Sequence, residues 1–440
     1  MLMLMEMKFL DNMIPPLYDH QKKILEDDYL WYGNWQGTGS AKTRSCLELA
    51  EGATLVICPK QQKLDRTWET NAEKFGIIIN LTVLSKEEFK KVWETLPDFD
   101  TVIIDEAHYV FGVEPRTYQK DYKKYPKTSQ IFEAVYRFIQ KTKPKRFYPA
   151  TATPFSKPLN LWAIAKLFNR NWDYFKFREK YYIEIQRGVW IPKKSERLQL
   201  ELRELLRSFG YTGSLDDFFD VPEQTHKTIH IDLSAEQKQA IKEINNSEAD
   251  PLIKRGKIRC IENGILYTRE ITDTGPKSSK VSKKTITYKN NKIEYIKERA
   301  IEFPKLLIFA EYTAQILEIE KALKKEGYNV VTLTGNTKDR ANLIKDADKA
   351  DKCIVVAQAS VSSGYELPSV PCVIFASKSN KFLNYNQGLG RVLRSNKLKK
   401  NLYIHLVVPG GSDEKCHESV LAGQNFIEKT NSKDELSTVE

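Results

Sequence analysis

The stretch Thr101-Val102-Ile103-Ile104-Asp105-Glu106-Ala107-His108 decides how the chain is read. A β-branched, apolar run stops abruptly at two adjacent carboxylates. Continuous apolar character marks a strand buried on both faces of a parallel sheet, and such sheets place ligands beyond the carboxyl ends of their strands. Asp105 is then positioned to hold a magnesium ion, and Glu106 to activate a water molecule. Two acids after a strand also fit a plain helix cap or a solvated turn.

Short apolar runs alternate with helical patterns around this stretch. Residues 53–58, 77–84 and 101–105 read as strands, and 65–75 and 130–141 as helices. That alternation predicts an α/β fold with a parallel sheet covered on both faces. A second series follows, with strands at 306–309, 330–333, 353–357, 372–375 and 403–408 and a helix at 314–325. No short-period repeat is present. Between the two series, 161–219 is aromatic and helical in pattern, with Trp162, Trp172, Tyr174, Phe175, Phe177, Tyr181, Tyr182 and Trp190. The expected division is a first lobe over 1–165, a helical extension over 166–225 and a second lobe over 226–410, opened by a strand at 228–233. A Thr/Ser/Lys-rich loop or hairpin is expected at 271–292, and a polar tail over 411–440.

The chain has 440 residues, 41% hydrophobic and 29% charged, with net charge +11. Such a composition fits a well-cored protein of two or three domains rather than a disordered one. The basic surplus suits a polyanionic partner such as nucleic acid, and equally suits solvated surface lysines. Cysteines 46, 58, 260, 353, 372 and 416 form no C-x-x-C pair, which points to reduced, buried thiols and a cytoplasmic setting. No uninterrupted apolar run reaches the roughly 18 residues that span a bilayer. Residues 1–7 are apolar but short and carry Glu6, without a signal-peptide cleavage pattern.

Gly37, Thr38, Gly39, Ser40, Ala41, Lys42 and Thr43 precede a helical run at 44–50. Small residues there let backbone N–H groups close around phosphate oxygens at a helix start. Lys42 would reach the β- and γ-phosphates, and Thr43 would join Asp105 on magnesium. The strict phosphate-loop pattern has glycine where Gln36 and Ala41 stand, so a glycine-rich turn before an ordinary helix is the competing reading. Gln21 lies upstream in Leu17-Tyr18-Asp19-His20-Gln21, and its amide has the donor and acceptor that an adenine edge needs. Downstream, Gln387-Gly388-Leu389-Gly390-Arg391-Val392-Leu393-Arg394 sets two arginines three apart. On a helix they share one face, suited to γ-phosphate charge or simply to a basic surface.

The order of these motifs resembles the superfamily 2 helicases and translocases, over most of the chain from Leu17 to Arg394. Leu17…Gln21 resembles the Q motif and Thr38–Thr43 motif I. Pro59-Lys60 resembles the start of motif Ia, and Asp105–His108 a DEAH-type motif II. Ala150-Thr151-Ala152-Thr153-Pro154 resembles motif III, the segment LLIFAEY at 306–312 motif IV, Ser363-Gly364-Tyr365-Glu366-Leu367-Pro368 motif V, and Gln387–Arg394 motif VI. Ala41 stands for the usual glycine, and Glu366 where many relatives carry aspartate. Looser features resemble Swi/Snf-type translocases: Pro154…Asn160-Leu161-Trp162, Val221-Pro222 with Leu233-Ser234…Gln237, and Leu333-Thr334-Gly335…Arg340. Compact phage and viral branch-migration helicases share this core and size.

The resemblance implies two tandem RecA-like lobes and ATP hydrolysis with magnesium. Lys42, Asp105, Glu106, Arg391 and Arg394 would be catalytic, the arginines coming from the second lobe. His108, Thr151, Thr153, Gly364 and Gln387 would couple nucleotide state to movement. Lys60, Ser85, Thr334 and Ser363 would touch nucleic acid, mostly its backbone. The implied function is an ATP-dependent DNA helicase or translocase acting on single-stranded, duplex, forked or branched DNA in replication, recombination or repair. The protein would work as a monomer, away from membranes, with replication or recombination proteins as candidate partners. An RNA helicase, and an ATP-gated nucleic-acid clamp without strand separation, are the alternatives.

Overall fold

The computed structural model describes residues 14–115, 126–154, 156–213, 217–219, 222–273, 279–361, 366–379, 381–392 and 399–423. The chain folds as two compact units, Met1–Phe219 and Asp220–Glu440.

The first unit contains β1 (Gly33–Gln36), β2 (Ala53–Cys58), β3 (Asn80–Ser85), β4 (Thr101–Asp105), β5 (Val113–Glu114), β6 (Lys127–Thr128), β7 (Arg146–Ala150), β8 (Tyr182–Gln186), β9 (Val189–Pro192) and β10 (Gly210–Gly213). Six of them form one sheet in the order β10-β1-β7-β4-β2-β3, with every pairing parallel. Successive residues enter opposite cores. Leu55, Ile57, Val102, Ile104 and Phe147 pack on one side, and Val56, Cys58, Ile103 and Tyr148 on the other. Burial on both faces is why 53–58 and 101–104 are apolar without alternation. Each such side chain contributes about 1.5–3 kcal/mol relative to exposure. The strand order also sets β7 between β1 and β4. Three adjacent carboxyl ends therefore present the loop at 37–41, Thr151 and Asp105 side by side.

Residues 161–219 differ from their helical reading. Helices Pro158–Leu167, Tyr174–Tyr181 and Glu196–Arg207 are interrupted by the antiparallel β8–β9 hairpin, and β10 then joins the sheet beside β1. The aromatic residues are chiefly core: Trp162, Tyr174, Phe177, Tyr181 and Tyr182 are buried in the first unit. Gly210 allows the β10–β1 approach, since a Cβ there would stand 1.9 Å from the Gly33 carbonyl oxygen. The segment expected as an extension is thus built into the first unit.

The second unit contains β11 (Glu223–His230), β12 (Ile265–Asp273), β13 (Ser279–Thr287), β14 (Lys305–Ala310), β15 (Val330–Leu333), β16 (Cys353–Gln358), β17 (Cys372–Phe375) and β18 (Lys400–Val407). Its sheet runs β11-β18-β17-β14-β16-β15, again wholly parallel. The strand expected at 228–233 begins earlier, at Glu223, because β11 pairs with β18 along its whole length. The Thr/Ser/Lys-rich segment lies in an antiparallel hairpin, β12–β13, registered from Ile265↔Thr287 to Asp273↔Ser279. Two α/β units with parallel sheets are the tandem RecA-like architecture. Among the described residues, no helix is long and apolar enough to cross a membrane.

Candidate active site

The loop leaving β1 turns into the helix Lys42–Glu48 through Gly39, at φ 89°, and Ala41, at φ 59°. Alternation into left-handed backbone curls successive N–H groups toward a common centre, which is how a chain cradles an anion. Ala41 holds this conformation with a Cβ, at a cost of about 1–2 kcal/mol relative to ordinary backbone. Lys42 Nζ donates to the Gln36 carbonyl at 3.0 Å and to the Gly37 carbonyl at 2.8 Å. Its amine therefore lies over the loop it would share with phosphate oxygens. Thr43 follows in the first turn of the helix.

The upstream motif braces this loop. Gln21 is fully buried; its amide oxygen accepts from Tyr18 N at 3.0 Å and its amide nitrogen donates to the Ala41 carbonyl at 3.3 Å. His20 Nε2 lies 3.1 Å from the Ser40 carbonyl, and burial lowers its pKa. Beside them opens a cavity of about 620 Å³, lined by Tyr18, His20, Lys23, Tyr211, Asp217 and Phe218 among others. Phe218 stacks on His20 with ring centroids 4.3 Å apart. The wall formed by Tyr211–Gly213, Asp217 and Phe218 carries no motif and was not legible in the sequence. The aromatic doublet Phe218-Phe219 is the signal that could have marked it.

Asp105 ends β4 two strands away. Its Oδ1 accepts from Glu106 N at 2.8 Å. Burial, followed by the neighbouring Glu106 charge, pushes its carboxyl upward, while Lys42 opposes that shift. Glu106 sits at φ 48°, a left-handed turn that separates its carboxylate from that of Asp105. Glu106 Oε2 lies 3.2 Å from His108 Nδ1, which is 2.9 Å from Thr151 Oγ1. Thr151 Oγ1 also accepts from Thr153 N at 3.2 Å. The turn after β4 and the segment after β7 are thereby linked. Cys46 and Cys58, whose thiols burial pushes up to about 12, are inert neighbours of Asp105.

Hard oxygen donors from Thr43 and Asp105 suit magnesium, which keeps waters and substrate oxygens as its other ligands. Among the described residues, no cluster of three His, Cys, Asp or Glu ligands occurs.

In the second unit the helix Phe382–Leu389 carries Gln387 and ends before Arg391. Arg391 therefore lies just beyond this helix rather than on it. Glycines 388 and 390 weaken the helix, and the Arg391 carbonyl accepts from Leu367 N at 2.8 Å, drawing the chain off the helical path. Arg391 is buried, with Nε donating to the Gln387 carbonyl at 2.8 Å. A Cβ on Gly388 would approach Phe309 to 3.2 Å, so glycine lets this helix lie close on the sheet. Arg394, Ser363 and Gly364 lie outside the described residues.

The expected nucleic-acid contacts fall in different settings. Lys60 is exposed at the start of the helix Lys60–Leu64. Thr334 follows β15, its N–H donating to Thr337 Oγ1 at 2.8 Å. Ser85 is 2% exposed and caps the helix Lys86–Val92, with Glu88 returning the bond in a capping box. Its hydroxyl is occupied by the fold.

Residues 290–396 match the family "Helicase conserved C-terminal domain". The chain is similar to DEAD-box ATP-dependent RNA helicase 38 of Arabidopsis thaliana, 26% identical over 168 residues. That similarity covers 36% of this chain and 34% of the relative, so the chain spans about a third of its length. Among solved structures it is similar to the Sulfolobus solfataricus SWI2/SNF2 ATPase core in complex with dsDNA, at 18% identity and a TM-score of 0.39, covering 96% of this chain and 94% of that one. The helicase domain thus falls within the second of the two α/β units, while the first carries the loop and the acid pair, and in this the chain is similar to the ATP-hydrolysing superfamily 2 helicases.

Proposed function

We propose that this protein is an ATP-dependent DNA translocase or helicase that remodels forked or branched DNA in replication, recombination or repair. The observation that carries the reading is the row of three adjacent strand ends, where the Lys42 loop, the Glu106–His108–Thr151 link and Asp105 meet on one sheet edge.

The cavity beside His20 and Phe218 takes the adenine base, with Gln21 fixing both the loop and the edge of the pocket. Lys42 exchanges its two loop carbonyls for phosphate oxygens. Thr43 and Asp105 would hold magnesium, which would supply charge neutralisation of the phosphates. Glu106 orients the attacking water and takes up its proton. Arg391, together with Arg394, offsets charge that develops on the transferred phosphoryl group. His108 reports the state of Glu106 to Thr151, and from there to the 151–153 segment that contacts nucleic acid. Lys60 and Thr334 grip the backbone, with salt-sensitive affinity.

DNA is favoured over RNA by the Swi/Snf-like residues Asn160-Leu161-Trp162 and Leu333-Thr334-Gly335. The RNA reading is supported by the similarity to the Arabidopsis RNA helicase. Glu106 beside His108 favours a turning-over enzyme over an ATP-gated clamp. The test compares ATPase stimulation by single-stranded DNA, duplex, fork, four-way junction and RNA, paired with strand displacement. Preferential stimulation by forks or junctions supports the proposal. Equal stimulation by every polymer, or none, overturns it.

A further inference from the structure

The segment Ala376–Ser379 joins β17 to the helix that leads to Arg391. Loops at such positions commonly run over the surface with solvated carbonyls. Here Ser377, Lys378 and Ser379 are each less than 5% exposed. Three helices that are remote in sequence take up the segment's carbonyl groups. Lys292 Nζ donates to the Ala376 carbonyl at 2.9 Å. Arg259 Nη2 donates to the Lys378 carbonyl. Cys416 Sγ lies 3.5 Å from the Ser379 carbonyl.

The donors are themselves fixed. Lys292, 1% exposed, also bonds Asp413 Oδ2 at 2.7 Å and Asn263 Oδ1 at 2.9 Å. Asp413 is placed by Glu262, whose carboxylate accepts from Ser412 N at 2.9 Å and Asp413 N at 2.8 Å. The Ser377 hydroxyl accepts from Glu311 N at 2.8 Å and donates to Gln315 at 2.6 Å. Ser379 Oγ accepts from Lys381 N and from the Asn384 amide, passing the restraint into the helix that carries Gln387.

A buried ion pair is a poor source of stability, because well-packed apolar residues of similar volume commonly serve as well or better. Charge-assisted bonds do fix a geometry. We infer that Lys292, oriented by Asp413 and Glu262, and Arg259, beside Cys416, are positioning residues that set where Arg391 stands by clamping the backbone of Ala376–Ser379. The inference rests on Arg391 acting on the transferred phosphoryl group. Misplacing a reacting group by about 1 Å can cost on the order of a hundredfold in rate.

The test uses the double variant Lys292→Met/Asp413→Leu, which removes both charges and leaves neither unpaired. Nucleic-acid-stimulated kcat, KM for ATP and thermal midpoint are measured, alone and in an Arg391→Ala background. A folded protein is expected whose kcat falls about 10–100-fold, with KM within about twofold and no further fall once Arg391 is gone. Unchanged kcat, a kcat loss matched by KM, or an equal further loss in the Arg391→Ala background overturns the inference. Full turnover by Arg391→Ala alone overturns the arginine reading and the inference with it, which separates the two failures. If the double variant does not fold, Arg259→Lys carries the test, keeping the charge but losing the planar fork. The same split between kcat and KM is expected, and its absence is contradictory.

Discussion

His108 Nδ1 stands 2.9 Å from Thr151 Oγ1, joining the turn that carries Glu106 to the segment after β7. Thr151 is wholly buried, and its hydroxyl also receives the Thr153 N–H. Thr151→Val keeps the shape and removes that acceptor, leaving buried polar groups unpaired. Stability should fall by about 1–3 kcal/mol in urea titration. Stimulation of ATPase by nucleic acid should drop more than the unstimulated rate does. Equal loss of both rates would remove the coupling role.

Ala41 holds φ 59° at the start of the phosphate-loop helix. Glycine accepts that backbone without strain, although it adds freedom to the unfolded chain. Ala41→Gly should therefore stabilise the protein by up to about 1 kcal/mol in denaturant titration. Destabilisation of that size would show that the alanine is not strained.

Arg391 is buried against its own helix end. Arg391→Ala should lower turnover by at least about 10³-fold, to a residual rate that is still measurable, while most DNA affinity remains in a filter-binding or anisotropy titration. Parallel loss of binding would make it a backbone contact instead.

His417 donates to or accepts from Thr228 Oγ1 at 3.0 Å within the second unit, and burial lowers its pKa to about 3. The unfolded imidazole titrates near 6.5. Below that pH the unfolded chain binds a proton that the folded chain refuses, so this group's contribution falls with pH down to about 3. His417→Gln removes the effect. Between about pH 6 and 4 the variant should lose roughly 1.4 kcal/mol less stability per pH unit than the parent. Parallel stability curves would place a charged imidazole in the fold.

Much of the frame was legible because buried parallel strands announce themselves. Strands β2, β4, β15 and β17 match their apolar runs residue for residue, and the acid pair sits at the sheet edge that its run predicted. Gly33–Gln36 was not legible. Its Gly-Asn-Trp-Gln sequence has no apolar pattern, and it is a strand because β10 and β7 flank it. The helical reading of 161–219 failed for a related reason: Tyr182 and Trp190 are placed by a hairpin register rather than by helical spacing. The arginine pair was read as one helical face because its three-residue spacing allows it. The helix stops at Leu389, so Arg391 lies beyond it, and Arg394 lies outside the described residues. Ser85 shows the converse limit, since a hydroxyl at the right motif position is spent on capping its own helix. The clamp around Ala376–Ser379 gathers residues from 259 to 416, a distance in sequence that no local pattern spans.

The central claim is that Glu106 turns a phosphate-binding site into a hydrolytic one. Replacing it by glutamine keeps size and polarity and removes the base. Steady-state ATPase of Glu106→Gln, measured with saturating fork DNA alongside ATP binding, tests this most directly. The account predicts a fall in kcat of at least about 10²-fold, the lower range for a general base, with ATP affinity retained. Turnover at the parent rate would contradict it.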